Sequence, residues 1–393
     1  MGKLFIPSPA ISFVGRHNSG KTTLLEKVIA ELVNRGVNVG SLKHHGHSDF
    51  EIDYPGKDSY RHRAAGSRDV VVVSPKRMAR ITELDEEPDC LDILKTMPGH
   101  DIVIVEGFRQ SGLDVIEVMR DGNERDHAAA DEFCELATVR GGSPHAVVSD
   151  MPRVHAAAVK HGIPCFGLED IKEIVDFLMV WYVRPKLTVV VQAGGESRRM
   201  GQSKACVPFL GEPLLKRIVQ RVSPAADELI ITTNEPERLT FLDEVDLPVR
   251  PRLVTDFYDT RGALRGVYTA LQAAQTPLVA LVACDMVFAS APLIVAEAQV
   301  AHEERVEAVV PVTKFGYEPF HAVYRRDECL KAAAAALEKG SASATSMFEY
   351  VRLRGFTRDE VRSAVPAGGC FVNVNTPEEL HRVEQGILDD GDK

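Results

Sequence analysis

The sequence predicts an α/β protein with two doubly wound domains. Short apolar runs of strand length alternate with helix-length segments in both halves, which is the pattern of parallel sheets covered by helices. In each half a glycine-rich turn directly follows such a run, at 15–22 and at 192–204. The length of 393 residues suits two or three domains of about 100–200 residues. The junction WYVRPKLTV (181–189) contains no Gly/Ser-rich spacer, and we place the boundary there, giving domains 1–183 and 184–393.

The first half contains seven predicted strands and one clear helix. The helix follows the first glycine-rich turn, and Gly36 stands where a left-handed C-terminal cap belongs. Its apolar residues, which recur at three- and four-residue spacing, are Leu24, Leu25, Val28, Ile29, Leu32 and Val33. The predicted strands are 11–15, 37–42, 69–74, 101–107, 114–119, 135–139 and 145–150.

The second half contains six predicted strands, and a helix follows the last of them. Thr376 can cap that helix, Pro377 suits its first position, and Glu379 completes a capping box. Asn373 and Asn375 are then expected on one face of the last strand at its carboxyl end, where open α/β sheets bind ligands. The predicted strands are 188–192, 228–233, 278–283, 308–312, 321–325 and 371–375.

Composition excludes several classes of function. The net charge of −11 argues against nucleic-acid binding, which relies on clustered positive charge. No run approaches the roughly 20 apolar residues of a membrane span, and the start MGKLFIPSPA does not resemble a secretory signal. The seven cysteines are scattered and form no C-x-x-C pair, which is typical of reduced thiols. We therefore expect a cytoplasmic protein that binds neither nucleic acid nor membrane.

The first glycine-rich turn, GRHNSGKT at 15–22, matches the P-loop pattern G-x-x-x-x-G-K-[ST] and lies between a predicted strand and a predicted helix. Backbone N–H groups of such a loop face phosphates. Lys21 would reach the β- and γ-phosphate oxygens, and Thr22 would bind Mg²⁺ together with Glu106, which ends an apolar strand. The candidate nucleotide contacts are Gly15, Asn18, Ser19, Gly20, Lys21, Thr22 and Thr23.

Three histidines, His44, His45 and His47, suggest a transition-metal site. However, adjacent residues on a strand point to opposite faces, and no Cys or Asp framework completes a ligand set. We interpret the segment as a polar loop near the nucleotide.

Residues 9–175 resemble the MobB family, the P-loop GTP-binding adaptors of molybdenum cofactor biosynthesis. The matching pieces are GRHNSGKTTLL, LKHHGHSDFEIDYPGKDSYRHRAAG and IVEGFR. The resemblance implies a P-loop NTPase domain that binds GTP and is a weak GTPase, with Asp49 and Glu106 as carboxylates on the magnesium side. No N-K-x-D motif occurs, so the preference for guanine is implied by the resemblance alone.

The second turn, QAGGESRRMGQSK at 192–204, lacks the G-K-[ST] ending of a P-loop. Gly194 and Gly195 have no Cβ, so the backbone can approach a nucleotide closely. Arg198, Arg199 and Lys204 carry positive charge that can offset the charge of a departing pyrophosphate. Together with the following VPFLGEPLL, this pattern is typical of a Rossmann-like nucleotidyltransferase domain.

Residues 187–385 are similar to the MobA family, the molybdenum cofactor guanylyltransferases. The matching pieces, besides the glycine turn, are TTN, VTDFYDTRGALRG, LVACD and FVNVNTPEEL. The resemblance implies a magnesium ligand in Asp285, catalytic roles for Lys204, Arg198, Arg199 and Asp285, and pterin contacts from Asn373 and Asn375. The implied GTP contacts are Gln192, Ala193, Gly194, Gly195, Lys204, Asn234, Asp256 and Asp285, with Asp259 as an alternative to Asp256.

Four positions depart from the family pattern: Gln192 replaces the usual Leu, Ala263 the usual Pro, Arg265 the usual Ala and Ser203 a common Asp. The first three lie near the parts that read the base. The paired glycine of AGG goes with guanine, whereas relatives that transfer cytidylate differ there.

The resemblance implies Mg²⁺-dependent transfer of GMP from GTP to molybdopterin or Mo-molybdopterin, with release of pyrophosphate. The first domain would bind GTP and assist delivery to apo-molybdoenzymes, with an upstream molybdate-insertion protein as a further partner and homodimerisation left open. Three alternatives remain: a cytidylyltransferase acting on the same pterin, a sugar-1-phosphate nucleotidyltransferase with a regulatory P-loop domain, and a first domain that is a scaffold without enzymatic activity.

Overall fold

A computed structural model describes residues 8–46, 51–139, 142–194, 203–257 and 262–391. The chain divides into two compact units, with the division between Arg184 and Pro185. Among the helices of the described ranges, none combines the length and the apolar character that a membrane span requires.

The first unit is built on a six-stranded sheet in which every neighbouring pair is parallel, in the order β2-β5-β1-β6-β7-β8. The strands of this unit, including β3 and β4 outside the main sheet, are β1 Ala10–Val14, β2 Val39–Lys43, β3 Asp69–Ser74, β4 Arg77–Thr82, β5 Ile102–Glu106, β6 Val115–Met119, β7 Ala146–Ser149 and β8 Cys165–Phe166. Its helices are α1 Lys21–Asn34, α2 Asp58–Ala64, α3 Cys90–Lys95, α4 Glu124–Leu136, α5 Pro152–His161 and α6 Ile171–Trp181.

The apolar runs of β1 and β5 form strands because both faces of this sheet are buried. The predicted stripe of α1 packs onto one face through Leu24, Leu25, Val28 and Leu32, whereas Val33 is exposed. Gly36 has a φ of 81° and donates its N–H to the carbonyl of Val33 at 2.9 Å, so the predicted cap is confirmed.

One predicted strand of this unit is confirmed outside the main sheet, and another is wrong. Residues 69–74 do form β3, but β3 pairs only with β4 in a separate antiparallel hairpin. Residues 135–139 are not a strand, because α4 continues to Leu136 and Ala137 ends it with a φ of 55°. A helix forms here in place of the predicted strand because Ala129, Ala130 and Phe133 recur at helical spacing and are buried along α4.

The second unit is built on an eight-stranded sheet in the order β13-β12-β9-β14-β17-β15-β16, with β18 paired to β15. The strands of this unit are β9 Leu187–Gln192, β10 Pro208–Phe209, β11 Glu212–Pro213, β12 Glu228–Thr232, β13 Pro251–Val254, β14 Leu278–Ala283, β15 Ala308–Thr313, β16 Gly316–Tyr317, β17 His321–Arg325 and β18 Leu353–Phe356. Strands β10 and β11 pair with each other outside the main sheet. Its helices are α7 Leu214–Val222, α8 Ala263–Ala273, α9 Ala291–Glu303, α10 Arg326–Glu338, α11 Arg358–Ala364 and α12 Pro377–Gly391.

Strand β9 lies at the point where the strand order of this sheet reverses. It pairs in parallel with β12 on one side and with β14 on the other. Val189 and Val191 belong to the core layer of α7 and α9, and Val190 belongs to the opposite layer of α8 and α10. The carboxyl end of β9 is therefore the topological switch point at which open α/β sheets bind ligands.

The last predicted strand, 371–375, is wrong. Asn373 makes only an isolated antiparallel bridge to Met286. A longer strand has no free edge to join here, because β14 is already paired with β9 and β17. The predicted N-terminus of the following helix is confirmed: α12 begins at Pro377, and the Glu379 N–H donates to Thr376 Oγ1 at 3.2 Å.

Candidate functional site

The glycine-rich turn of the first unit forms a compact loop between β1 and α1. Asn18 and Gly20 have φ values of 65° and 82°, and the Lys21 side chain folds back over the loop. Lys21 Nζ donates to the carbonyl oxygens of Gly15 at 3.0 Å and Arg16 at 2.6 Å. The lysine therefore lies against the backbone of the predicted loop.

Next to this loop lie Thr22, Glu106 and a third residue that the sequence analysis missed. Thr22 Oγ1 donates to Glu106 Oε1 at 2.8 Å. Lys43 Nζ lies 3.1 Å from both Glu106 oxygens and 3.3 Å from Thr22 Oγ1, because β2 and β5 pair Lys43 with Glu106 in register. A hydroxyl and one carboxylate fit Mg²⁺, which also takes phosphate oxygens and water as ligands. Thr23 is exposed in the first turn of α1.

A buried polar network supports the loop from below. Ser19 Oγ is bonded to Asp126 Oδ1 at 2.9 Å, and Asn123 Nδ2 donates to Asp126 Oδ2 at 2.8 Å and to the carbonyl of His17 at 3.1 Å. Ser19 and Asp126 are fully buried. Ser19 therefore holds the loop in shape through its side chain. The sequence gives no signal for Asp126, which lies 107 positions away.

Partial burial lowers the pKa of the Lys21 ammonium, and the carboxylates of Glu106, Asp126 and Glu117 oppose that shift. Glu117 is fully buried and binds Arg109 through two hydrogen bonds of 2.6 and 2.7 Å.

In the second unit, three predicted residues from distant segments meet. Lys204 Nζ donates to Asp285 Oδ2 at 2.8 Å and to Asn375 Oδ1 at 2.9 Å. Asp285 Oδ1 is buried and has no hydrogen-bond partner among the described residues. An unpaired buried carboxylate oxygen beside an ammonium group is a suitable ligand for a hard cation, so the residues fit Mg²⁺. The neighbouring Cys284 is buried in the hydrophobic core, and this burial raises the pKa of its thiol to about 12.

A second group of predicted residues lies at the ends of β12 and β13. Asn234 Nδ2 donates to Asp256 Oδ2 at 3.1 Å, and the Asp256 N–H donates to Asn234 Oδ1 at 3.2 Å. A Cβ on Gly194 would lie 3.3 Å from Asp256 Oδ2, so the missing side chain of Gly194 leaves room for the Asp256 carboxylate. The Ala193 N–H donates to the carbonyl of Thr232 at 2.9 Å, which ties the loop to β12.

Gln192 ends β9 on the side that faces α8. A Cβ on Gly266 would lie 3.1 Å from Gln192 Nε2, and this amide nitrogen is buried without a hydrogen-bond partner among the described residues. The structure therefore brings predicted residues into two clusters: Lys204 with Asp285 and Asn375, and Asn234 with Asp256.

Other predicted residues are not brought into these clusters. Asn373 is exposed and bridges Met286, whereas Asn375 joins Lys204. No group of three metal-binding side chains was found in the part of the chain that the structure describes. His44 instead contacts Glu87. The predicted residues Gly195, Arg198, Arg199, Asp49 and the alternative Asp259, as well as His47, lie outside the described residues.

Comparison with known proteins matches each unit to a different family. The family model of MobB, molybdopterin guanine dinucleotide synthesis protein B, matches residues 10–139, and the MobA-like NTP transferase domain matches residues 189–354. The molybdenum cofactor guanylyltransferase of Desulfosudis oleivorans is 31% identical over 202 residues, which are 51% of this chain and 96% of that protein. The molybdopterin-guanine dinucleotide biosynthesis adapter protein of Escherichia coli is 33% identical over 184 residues, 46% of this chain and 95% of that protein.

The chain belongs to both families. The MobB unit carries the P-loop with Lys21, Thr22 and Glu106, and the MobA-like unit carries the cluster of Lys204 and Asp285. Among solved structures, molybdopterin-guanine dinucleotide biosynthesis protein A of Archaeoglobus fulgidus aligns with a TM-score of 0.45 and 20% identity, covering 51% of this chain and 99% of that one.

Proposed function

We propose that the MobA-like unit transfers GMP from GTP to the terminal phosphate of molybdopterin, forming the guanine dinucleotide of the molybdenum cofactor and releasing pyrophosphate. The observation that supports this most strongly is the meeting of Lys204, Asp285 and Asn375 at the carboxyl end of the parallel strands. The relatives named guanylyltransferase, which match this unit over nearly their whole length, support the substrate class.

The transfer needs positioning and charge neutralisation more than a protein nucleophile. A phosphate oxygen of molybdopterin forms a bond to the α-phosphorus of GTP, and the bond from that phosphorus to the bridging oxygen of the β-phosphate breaks. Lys204 offsets the charge that develops on the departing pyrophosphate. Asp285 would hold Mg²⁺ through its unpaired Oδ1, and the ion supplies further charge neutralisation at the phosphates.

The nucleoside would lie against the second cluster, where Asn234 and Asp256 offer donors and acceptors but no positive charge. Asn375, which accepts a hydrogen bond from Lys204, would contact the pterin substrate next to that lysine. The catalytic contributions that the resemblance implies for Arg198 and Arg199 belong to the same proposal.

The test is incubation of the full-length protein with molybdopterin, MgGTP and molybdate, with pyrophosphate release and guanine-containing cofactor as readouts. Lys204→Ala should lose most of the transfer, and Lys216→Ala should retain it. Lys216 is a matched control because, among the described residues, this lysine of α7 forms its ion pair with Glu212, away from Asp285 and Asn375. Equal turnover of CTP would favour the cytidylyltransferase alternative, and consumption of a sugar 1-phosphate would favour the sugar nucleotidyltransferase.

For the MobB unit, we propose GTP binding at the P-loop, slow hydrolysis and assistance in delivering the finished cofactor to apo-molybdoenzymes, all in the cytoplasm. Lys21, Thr22 and Glu106 support the phosphate and magnesium contacts. Because the two units belong to one chain, the product made by the MobA-like unit is present at a raised effective concentration for the MobB unit. Lys21→Ala should leave guanylyl transfer unchanged and slow the activation of an apo-enzyme; unchanged activation would contradict the delivery role.

A further inference from the structure

A cavity of about 550 Å³ opens beside the P-loop of the MobB unit. Four segments line it: Val14 and Gly15, the residue His44 after β2, the segment 87–90 at the start of α3, and the segment 107–111 after β5. Its volume is in the range of pockets that hold small organic ligands. The phosphate contacts of the P-loop do not account for a cavity of this size.

The cavity begins where the phosphate chain of a bound nucleotide would end. The P-loop lysine reaches the outer phosphates, and here Lys21 Nζ is 3.0 Å from the carbonyl oxygen of Gly15. Gly15 itself lines the cavity. A group attached to the outer phosphate of a guanosine diphosphate would therefore enter this space, whereas the base and ribose lie at the other end of the phosphate chain.

The walls of the cavity suit a planar heterocycle with N–H and carbonyl groups. The rings of His44 and Phe108 lie 4.5 Å apart and are tilted by 34°, which presents aromatic surface to the cavity. Gly107 permits their approach, since a Cβ there would lie 3.0 Å from His44 Cβ. The carboxylates of Glu87 and Asp89 also line the cavity. Glu87 Oε1 lies 2.6 Å from His44 Nε2, and Asp89 Oδ1 accepts from the Leu91 N–H at 2.7 Å, so the second oxygen of each carboxylate is the acceptor for a ligand. Planar rings stack favourably on such aromatic surfaces.

We propose that the MobB unit binds the guanine dinucleotide product, with the P-loop holding its pyrophosphate and this cavity holding its pterin. This inference rests on the proposed function, because the pterin is the group that guanylyl transfer attaches to GMP. The product has two phosphates, as GDP has, and its pterin is attached to the second of them, where GTP carries its outermost phosphate. The pterin N–H groups would donate to Glu87 and Asp89, and its rings would stack on the pair of His44 and Phe108.

The test measures binding of three synthetic ligands to the full-length protein by titration calorimetry. They are GDP, GDP-mannose, and the guanosine diphosphate ester of 6-hydroxymethylpterin. The protein carries Lys204→Ala, which weakens the phosphate contacts of the MobA-like unit. We expect the pterin ester to bind at least 10-fold more tightly than GDP-mannose, which carries an aliphatic ring on the same phosphate.

Variants assign that preference to the cavity. Phe108→Ala should bring the ratio of the two dissociation constants close to one and leave GDP affinity unchanged. Glu87→Gln should reduce the ratio at least threefold, and because Glu87 is 64% exposed its replacement spares the fold. Glu86→Gln is the matched control, since Glu86 is exposed and does not line the cavity. Lys21→Ala should weaken the binding of all three ligands together, because each carries the diphosphate that the P-loop lysine contacts.

Equal affinities for the pterin ester and GDP-mannose would overturn the inference. So would an unchanged ratio in both Phe108→Ala and Glu87→Gln. Because the pterin ester is supplied ready-made, the result does not depend on guanylyl transfer. Loss of transfer in the unaltered protein would count against the proposed function alone.

Discussion

Replacing Asp285 by asparagine removes one negative charge from the MobA-like site and keeps the size of the side chain. Lys204 retains Asn375 Oδ1 as an acceptor at 2.9 Å, and the new amide oxygen can replace Oδ2. The side chains of Lys204 and Asp285 are 14% and 23% exposed, so the pair is only partly desolvated. We expect the free energy of unfolding to fall by no more than about 1–2 kcal/mol.

The effect of Asp285→Asn on catalysis should be much larger. Asp285 Oδ1 is the buried oxygen without a partner among the described residues, and an amide is a weaker ligand for Mg²⁺ than a carboxylate. Loss of one preorganised electrostatic contact to a transition state costs about 2.7–4 kcal/mol. We therefore expect kcat/KM for guanylyl transfer to fall by roughly 10²–10³-fold, with half-saturation at a higher Mg²⁺ concentration.

The assay follows pyrophosphate release over a titration of MgCl₂, and urea unfolding measures stability on the same preparations. Asp243→Asn is the control, because Asp243 is exposed on the same unit. If Asp285→Asn kept its turnover within about threefold of the parent at every Mg²⁺ concentration, the reasoning about the unpaired oxygen would be refuted.

Three further predictions concern other parts of the chain. Gly15→Ala should weaken GTP binding by the MobB unit at least tenfold in calorimetry, because its Cβ would lie 2.5 Å from a backbone carbonyl oxygen; unaltered binding would show that the loop tolerates the shift. Lys43→Met should lower the Mg²⁺ concentration needed for GTP binding, since it removes the ammonium group 3.1 Å from Glu106 that competes with the ion; a higher requirement would contradict this. Burial raises the pKa of Glu297 to about 7. The carboxyl is fully buried beside His321, which opposes the shift. The unfolded carboxyl ionises first, so the protein should lose unfolding free energy as pH rises from 4.5 to 7. In urea unfolding, the Glu297→Gln variant should show little of this pH-dependent loss. The same pH dependence in the variant would refute its assignment to Glu297.

Much of the fold was predictable because the signals are local. The strands at 11–15, 101–107 and 188–192 are apolar runs, and the structure buries them on both faces. The N-terminus of α12 follows from the spacing of Thr376 and Glu379. Where a local pattern conflicted with packing, the prediction was wrong: burial of Ala129, Ala130 and Phe133 carries helix α4 on to Leu136, into the segment predicted as a strand.

The strand predicted at 371–375 was wrong for a different reason. Its residue pattern favours a strand, but a strand needs a free partner edge, and the sheet offers none beside β14. The availability of an edge is a property of the assembled sheet. The same holds for the hairpin of β3 and β4, whose alternative would have been to join the main sheet of its unit.

The sequence by itself determined the fold class and the residue types of both nucleotide loops, because strand runs, glycine turns and caps act over a few neighbouring residues. Only the tertiary structure decided which side chains meet. Lys204 joins Asp285 and Asn375 across 81 and 171 positions, and the register of β2 on β5 brings Lys43 to Glu106. Contacts at such separations depend on strand order and register, which follow from packing of the whole sheet and leave no local trace in the chain.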